Sequence, residues 1–198
     1  MEQNGPSYPV QFSVDYPDQP LDRFSSFFRL FAAIPILIVL ATVSGGQSAG
    51  GILVTAALLM ILFKQKYPRW WFDWNFALLK FENRVSAYFL LLRDEYPSTD
   101  EDQAVHLELP YPDVEADLNR WLPLFKWLLA FPHYAVLFVL GIVAFFAVVI
   151  AWFAILFTSS YPQGLFNYVV GVMRYSNRVT AYAFLLVTDR YPPFRLGP

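Results

Sequence analysis

The chain has 198 residues, of which 57% are hydrophobic and 19% aromatic; an ordinary soluble domain is about 45–50% apolar. Charged residues make up 15% and the net charge is −2, which excludes a disordered or coiled-coil chain and argues against a basic nucleic-acid surface. There is no cysteine, so disulfides, thiol catalysis, iron–sulfur clusters and thiolate zinc sites are ruled out.

In chain order, Val10, Phe12, Val14 and Tyr16 alternate with polar residues and predict a half-buried strand over Val10–Tyr16. Met1–Val10 has neither the basic residue nor the following short apolar run of a cleaved signal peptide. Leu30–Phe63 then carries no formal charge and exceeds the ~20 residues that cross a bilayer core. One straight helix over it would run about 51 Å against about 30 Å of hydrocarbon, so the stretch is expected to fold back. Helices are placed near Phe24–Val43 and Ile52–Lys66, with the Gly/Ser-rich segment Ser44–Gly51 as the turn. Pro68–Leu92 reads as a helix with divided polar stripes. Asp73, Lys80 and Arg84 share one face, and Asn75, Glu82 and Ser86 lie almost opposite. Such a helix fits the interface plane, with Tyr67 at headgroup level and Pro68 in the first helical turn.

A second strand follows over Val105–Tyr111. Trp127–Met173 is again uncharged, and is divided into helices near Trp121–Leu140 and Ala144–Thr158 with Gly141 at the turn. A last helix covers Gln163–Val187.

The two halves are copies. Tyr67-Pro68 recurs as Tyr161-Pro162, and Asn83-Arg84-Val85-Ser86-Ala87-Tyr88 recurs at the same offset as Asn177-Arg178-Val179-Thr180-Ala181-Tyr182. With small length changes Arg23 matches Arg120, Arg29 matches Lys126, Pro35 matches Pro132 and Asp94 matches Asp189. The units are 1–97 and 104–198, joined by an acidic linker at 98–103. An even number of spans per unit predicts a twofold axis along the membrane normal and antiparallel pairing if the strands meet, and the helix that closes each unit is the candidate cover for the strands' apolar faces. Arg23, Arg29, Lys64, Lys66, Arg69, Arg120 and Lys126 flank the uncharged stretches, which places both termini in the cytoplasm. The fold class is mainly α and membrane-embedded: two tandem units, each a short β-strand, a transmembrane helical hairpin and an interfacial amphipathic helix.

The doubled strand ending Tyr-Pro, Arg-Trp-Leu-Pro-Leu-Phe-Lys-Trp at 120–127, Ala-Trp-Phe-Ala-Ile-Leu-Phe at 151–157, and Asp-Arg-Tyr-Pro-Pro-Phe at 189–194 resemble a bacterial family catalogued only as a domain of unknown function. The match is most specific in the second unit; the first departs from it at the Gly/Ser turn and at the tryptophan cluster in 70–74. The resemblance implies a prokaryotic protein of the inner, cytoplasmic membrane and carries over no activity and no catalytic residue.

The repeated polar constellation is the best candidate site: Lys80, Asn83, Arg84 and Tyr88 in one unit, Arg174, Asn177, Arg178 and Tyr182 in the other. The arginines could hold anionic lipid phosphates, or they could pair with Asp94 and Asp189 or cap a strand. His133 is a candidate haem or metal ligand beside the plainer reading of a helix-contact histidine, and His106 reads as a solvent-facing strand residue. No catalytic residue and no cofactor is assigned. The expected function is a non-catalytic membrane scaffold or accessory subunit whose partners are membrane lipids and a protein of the same complex or a second copy, with no nucleic acid. The alternative is a transporter, channel or lipid-handling protein, since duplicated membrane units often build a pathway at their interface.

Overall fold

Pro9 and Pro17 bracket the first alternating stretch and Pro110 closes the second, and a residue without an N–H cannot extend a ladder. In the computed structural model, which describes residues 8–48 and 52–198, the strands are accordingly short: β1 is Gln11–Val14 and β2 is Val105–Glu108. They pair antiparallel, with Phe12 opposite Leu107 and Ser13 opposite His106. Phe12, Val14 and Leu107 point into the core, while Ser13, His106 and Glu108 face outward, as the period of two requires.

Between the strands come α1 (Arg23–Ser48), α2 (Ile52–Lys64) and α3 (Arg69–Phe89). After β2 come the one-turn α4 (Val114–Asp117), α5 (Pro123–Leu129), α6 (Phe131–Thr158) and α7 (Gln163–Ala183). The α4 turn has no counterpart in the sequence reading; the Asp113 carboxylate accepts from the Glu115 and Ala116 amides and caps it.

The largest correction lies in α6. The expected turn at Gly141 does not form, and the helix runs unbroken through it for 28 residues, about 42 Å at 1.5 Å per residue. A lone glycine costs a helix only about 1 kcal/mol. Opening a turn among apolar side chains would strip several peptide groups of their partners, which costs more. The break in this unit comes earlier, at Ala130 between α5 and α6, where Pro132 occupies the first turn of the new helix. Its match Pro35 lies inside α1 without dividing it. Instead of four membrane helices in two hairpins, two helices among the described residues are long and apolar enough to cross a membrane, Arg23–Ser44 and Phe131–Thr158. In the first unit α1 continues through Ser48, beyond the expected start of the turn, and the rest of that turn, 49–51, lies outside the described residues.

Several features recur in the two units. Gln65 and Ser159 take left-handed backbone angles before the two Tyr-Pro pairs, and Leu91 and Leu186 do so after the two closing helices. A leucine in that region costs about 1–2 kcal/mol, which burial of both side chains offsets. Ala33 and Ile36 of α1 pack on Leu78, Phe81, Val85 and Tyr88 of α3. The matching cluster joins Ala130 and Leu137 to Tyr175, Val179 and Tyr182 of α7. Tyr134 meets Phe184 and the Tyr168 hydroxyl donates to the Leu140 carbonyl, so α6 and α7 run antiparallel.

The strands do not lie on their own units' helices. β1 packs on α7 and β2 on α3, so each unit's strand is given to the other. Tyr16 donates to the Tyr161 carbonyl and Tyr111 to that of Tyr67, while their rings meet Phe166 and Phe72 edge-on at 5.0 and 5.2 Å. Tyr67 and Tyr161 are thereby buried and not at a headgroup surface, and Pro68 and Pro162 are extended N-caps outside the first turn. Phe12 faces its own equivalent Leu107, and Asn83 faces its own equivalent Asn177, each amide donating to the other at 2.8 and 2.7 Å. These two self-pairs define a local twofold axis.

The exchange makes the halves interdependent. A chain carrying a protease site in the 98–103 linker should, after cleavage, stay a one-to-one complex with a single cooperative unfolding transition, whereas either half expressed alone should show none. Halves that fold separately would show that each strand can be covered within its own unit.

Candidate functional site

Two equivalent ion pairs anchor α1 and α5 to the chain that follows α3 and α7. The Arg29 guanidinium reaches the Asp94 carboxylate and donates to the Arg93 carbonyl at 3.0 Å, and Asp94 also accepts the Asp22 amide at 2.7 Å. In the second unit Lys126 Nζ lies 2.7 Å from Asp189 and donates to the Thr188 carbonyl at 2.8 Å, and Asp189 accepts the Asn119 amide. Arg29 stacks over the Tyr88 ring and Lys126 faces that of Tyr182, 4.2 and 5.3 Å from the centroids. Lys126 is fully buried; desolvation pulls its ammonium down from the usual lysine range and the Asp189 contact works against that pull. Arg29 and Lys126 drew attention in the sequence only as charges flanking a membrane stretch. Asp94, expected as a possible partner of the repeated arginines, pairs with Arg29 instead.

The eight constellation residues therefore stand differently from either pairing suggested by spacing. Asp94 and Asp189 are taken, and the repeated arginines hold backbone carbonyls. Arg84 donates to Ser98 at 2.8 Å, and Arg178 to Arg195 and Gly197 at 3.2 and 2.9 Å. Both side chains are buried, Arg178 to 1% exposure, which turns them away from lipid phosphates and toward the tails of their own units. Arg174 donates to Phe12 on β1 at 2.8 Å and to Leu196 at 2.7 Å, and Lys80 rests over Phe76. Gly171 completes the seat of the C-terminal tail: a Cβ there would stand 2.9 Å from that of Leu196. Tyr88 and Tyr182 are buried beside Tyr96 and Tyr191.

Asn83 and Asn177 are the members that the fold brings together, at the floor of a groove of about 280 Å³ where α3 and α7 approach. Its walls carry Leu79, Glu82 and Ser86 from α3, and Met173, Ser176 and Thr180 from α7. Within this groove the symmetry is broken in charge at Glu82, which matches Ser176. Among the described residues no cation stands against Glu82, and burial pushes its carboxyl above the usual range. Sequence reasoning placed Glu82 on a polar stripe and missed the groove, which exists only once the second unit lies alongside.

His133 is wholly buried at the start of α6. Its Nδ1 meets the Tyr175 hydroxyl and its ring stacks on Phe194 at 4.3 Å, while Nε2 has no polar partner. This is an enclosed aromatic contact on the second unit alone, since Ile36 stands at the matching position. His106 lies on the outward face of β2, 2.9 Å from Asp15. Among the described residues no three histidines or carboxylates stand close enough to hold a metal ion.

A family model described as "Domain of unknown function (DUF4389)" matches residues 23–99 and 121–195, one segment in each repeat. The chain belongs to the DUF4389 family. No curated protein and no solved structure matches it. Both matched segments of this DUF4389 chain contain an ion-paired aspartate and a repeated Asn-Arg, and both begin after the exchanged strand.

Asp189→Ala should lower stability by about 3–5 kcal/mol in chemical denaturation, the cost of leaving a buried Lys126 unpaired. Arg178→Gln should cost about 1.5–3 kcal/mol, because charged hydrogen bonds to two carbonyls are lost. For Glu82 the folded state holds the proton more tightly than the unfolded state. Its contribution to stability is present below the ordinary carboxylate pKa and is lost as pH rises through the folded value. Glu82→Gln should therefore match the parent's thermal unfolding at acid pH and exceed it above that window.

Proposed function

We propose that this chain is a non-catalytic integral membrane protein that serves as a scaffold or accessory subunit in the bacterial inner membrane. One observation supports the reading above the others: the most apolar helices are also the least covered. Only 22% of the apolar window in α1 and 11% of that in α6 is buried. Phe138 and Phe157 are 71% and 77% exposed, with Ile142, Phe145, Phe146 and Ile150 between them. A continuous apolar surface of this kind is unusual on a soluble monomer, and lipid is its natural cover.

The polar chemistry points the same way. The repeated basic residues of α1, α3, α5 and α7 are spent on carbonyls, rings and two ion pairs inside the fold, which leaves little to act on a substrate. The Tyr8 hydroxyl donates to the Arg190 carbonyl at 3.0 Å, so the two ends of the described chain share one side, and the remaining flanking basic residues make that side cytoplasmic.

The full chain should stay with the membrane through an alkaline carbonate wash and leave it only with detergent. Captured by a tag in mild detergent after mild cross-linking, it should carry one partner at fixed stoichiometry or a second copy of itself. Release by carbonate would contradict the membrane reading, and a lone monomer the accessory-subunit reading.

A further inference from the structure

The direction of the local twofold axis constrains how the molecule meets lipid. A rotation leaves height along its axis unchanged, so equivalent residues of the two units lie at one level. Helix α6 begins beside the Lys126–Asp189 pair, to which it is joined through Ala130. It ends at Ser159, whose carbonyl accepts the Leu21 amide and whose hydroxyl accepts Arg23, next to the equivalent Arg29–Asp94 pair. Arg23 is level with its match Arg120, only the α5 turn away from Phe131, on the order of 16 Å at helical rise over residues 120–131. The two ends of a helix about 42 Å long thus differ in height by no more than roughly 16 Å, and α6 runs far more across the axis than along it.

The sheet decides between the two ways of placing such a helix in a bilayer. Both the Phe12–Leu107 pair and the Asn83–Asn177 pair lie on the axis. Were α6 to cross the bilayer, the axis would lie in the membrane plane. The sheet would then sit at the depth of the bilayer centre with Asp15, His106 and Glu108 facing outward, where each charge costs several kcal/mol or more. With the axis along the normal, the same groups stand in water. One face of α6 is turned to the rest of the protein, with His133, Ala147, Ala151 and Ile155 buried and Leu137 and Leu140 partly so. Its other half is open and apolar from Phe138 to Phe157. A length beyond the ~30 Å hydrocarbon layer is also no burden to a helix that does not cross it.

We infer that the surface that meets lipid is the open face of α6, lying in the plane of one leaflet with the twofold axis along the normal and the β1–β2 sheet on the water side. This deepens the membrane reading above and rests on it. Because the chain has no cysteine, single cysteines can be placed at Phe138, Phe146 and Phe157 along the exposed face of α6 and spin-labelled in the full chain in phosphatidylethanolamine–phosphatidylglycerol vesicles. Relative collision rates with oxygen and a nickel chelate report depth. All three labels should lie at one depth within one leaflet. A graded series of depths through the bilayer centre would overturn the in-plane seating while leaving the membrane reading intact. Labels more accessible to nickel than to oxygen at all three positions would overturn both.

Discussion

A four-residue strand pair has too little surface to be stable by itself, and the fold depends on how that deficit is met. Each strand has one apolar face, and in this chain the cover for that face comes from the other repeat. Phe12 and Val14 sit over α7 and Leu107 over α3, while Tyr16 and Tyr111 reach across to the turns that begin those helices. The reciprocity has a simple geometric origin. Two similar units can exchange similar parts only about a twofold axis, and residues on the axis must face their own equivalents. That is the position of Phe12 with Leu107 and of Asn83 with Asn177. An amide suits an axial site because it both donates and accepts, so that two copies satisfy one another inside an apolar crossing.

The charges serve this arrangement. A buried lysine or arginine is tolerated when a carboxylate and a carbonyl are placed to receive it. Asp94 collects a base from α1 and Asp189 one from α5, and each accepts an amide from the chain just before that helix. The pairs fix where α1 and α5 begin relative to the closing helices α3 and α7. Arg84 and Arg178 then strap down the segments that follow. With polar groups consumed in this way, the outer faces of α1 and α6 are left apolar, and the molecule becomes a polar-stitched body with an open apolar surface.

The repeat was legible because its signature, Asn-Arg-Val followed by a hydroxyl residue and Ala-Tyr, lies on a helix whose every face is used, so both copies retained it. The strands were legible from alternation, and their lengths from the prolines beside them. Three things were not. The α6 break was misplaced because glycine in a uniformly apolar stretch marks a turn only if the freed peptide groups can find partners, and around Gly141 none are polar. The roles of Arg29 and Lys126 were hidden because their partners lie more than sixty residues away, and a flanking base looks the same whether it faces water or a carboxylate. The strand exchange leaves no local trace at all: an alternating segment has the same pattern whichever helix covers it.

Cross-linking in the full, otherwise cysteine-free chain tests the exchange most directly. Cysteines replacing Tyr16 and Phe166, whose rings lie 5.0 Å apart across the two units, should be joined by a short bifunctional thiol reagent within one monomer. The pair Tyr16→Cys with Phe72→Cys, which places the same strand on its own unit's helix, should not. Efficient joining of the Tyr16–Phe72 pair in preference to the Tyr16–Phe166 pair would contradict the account.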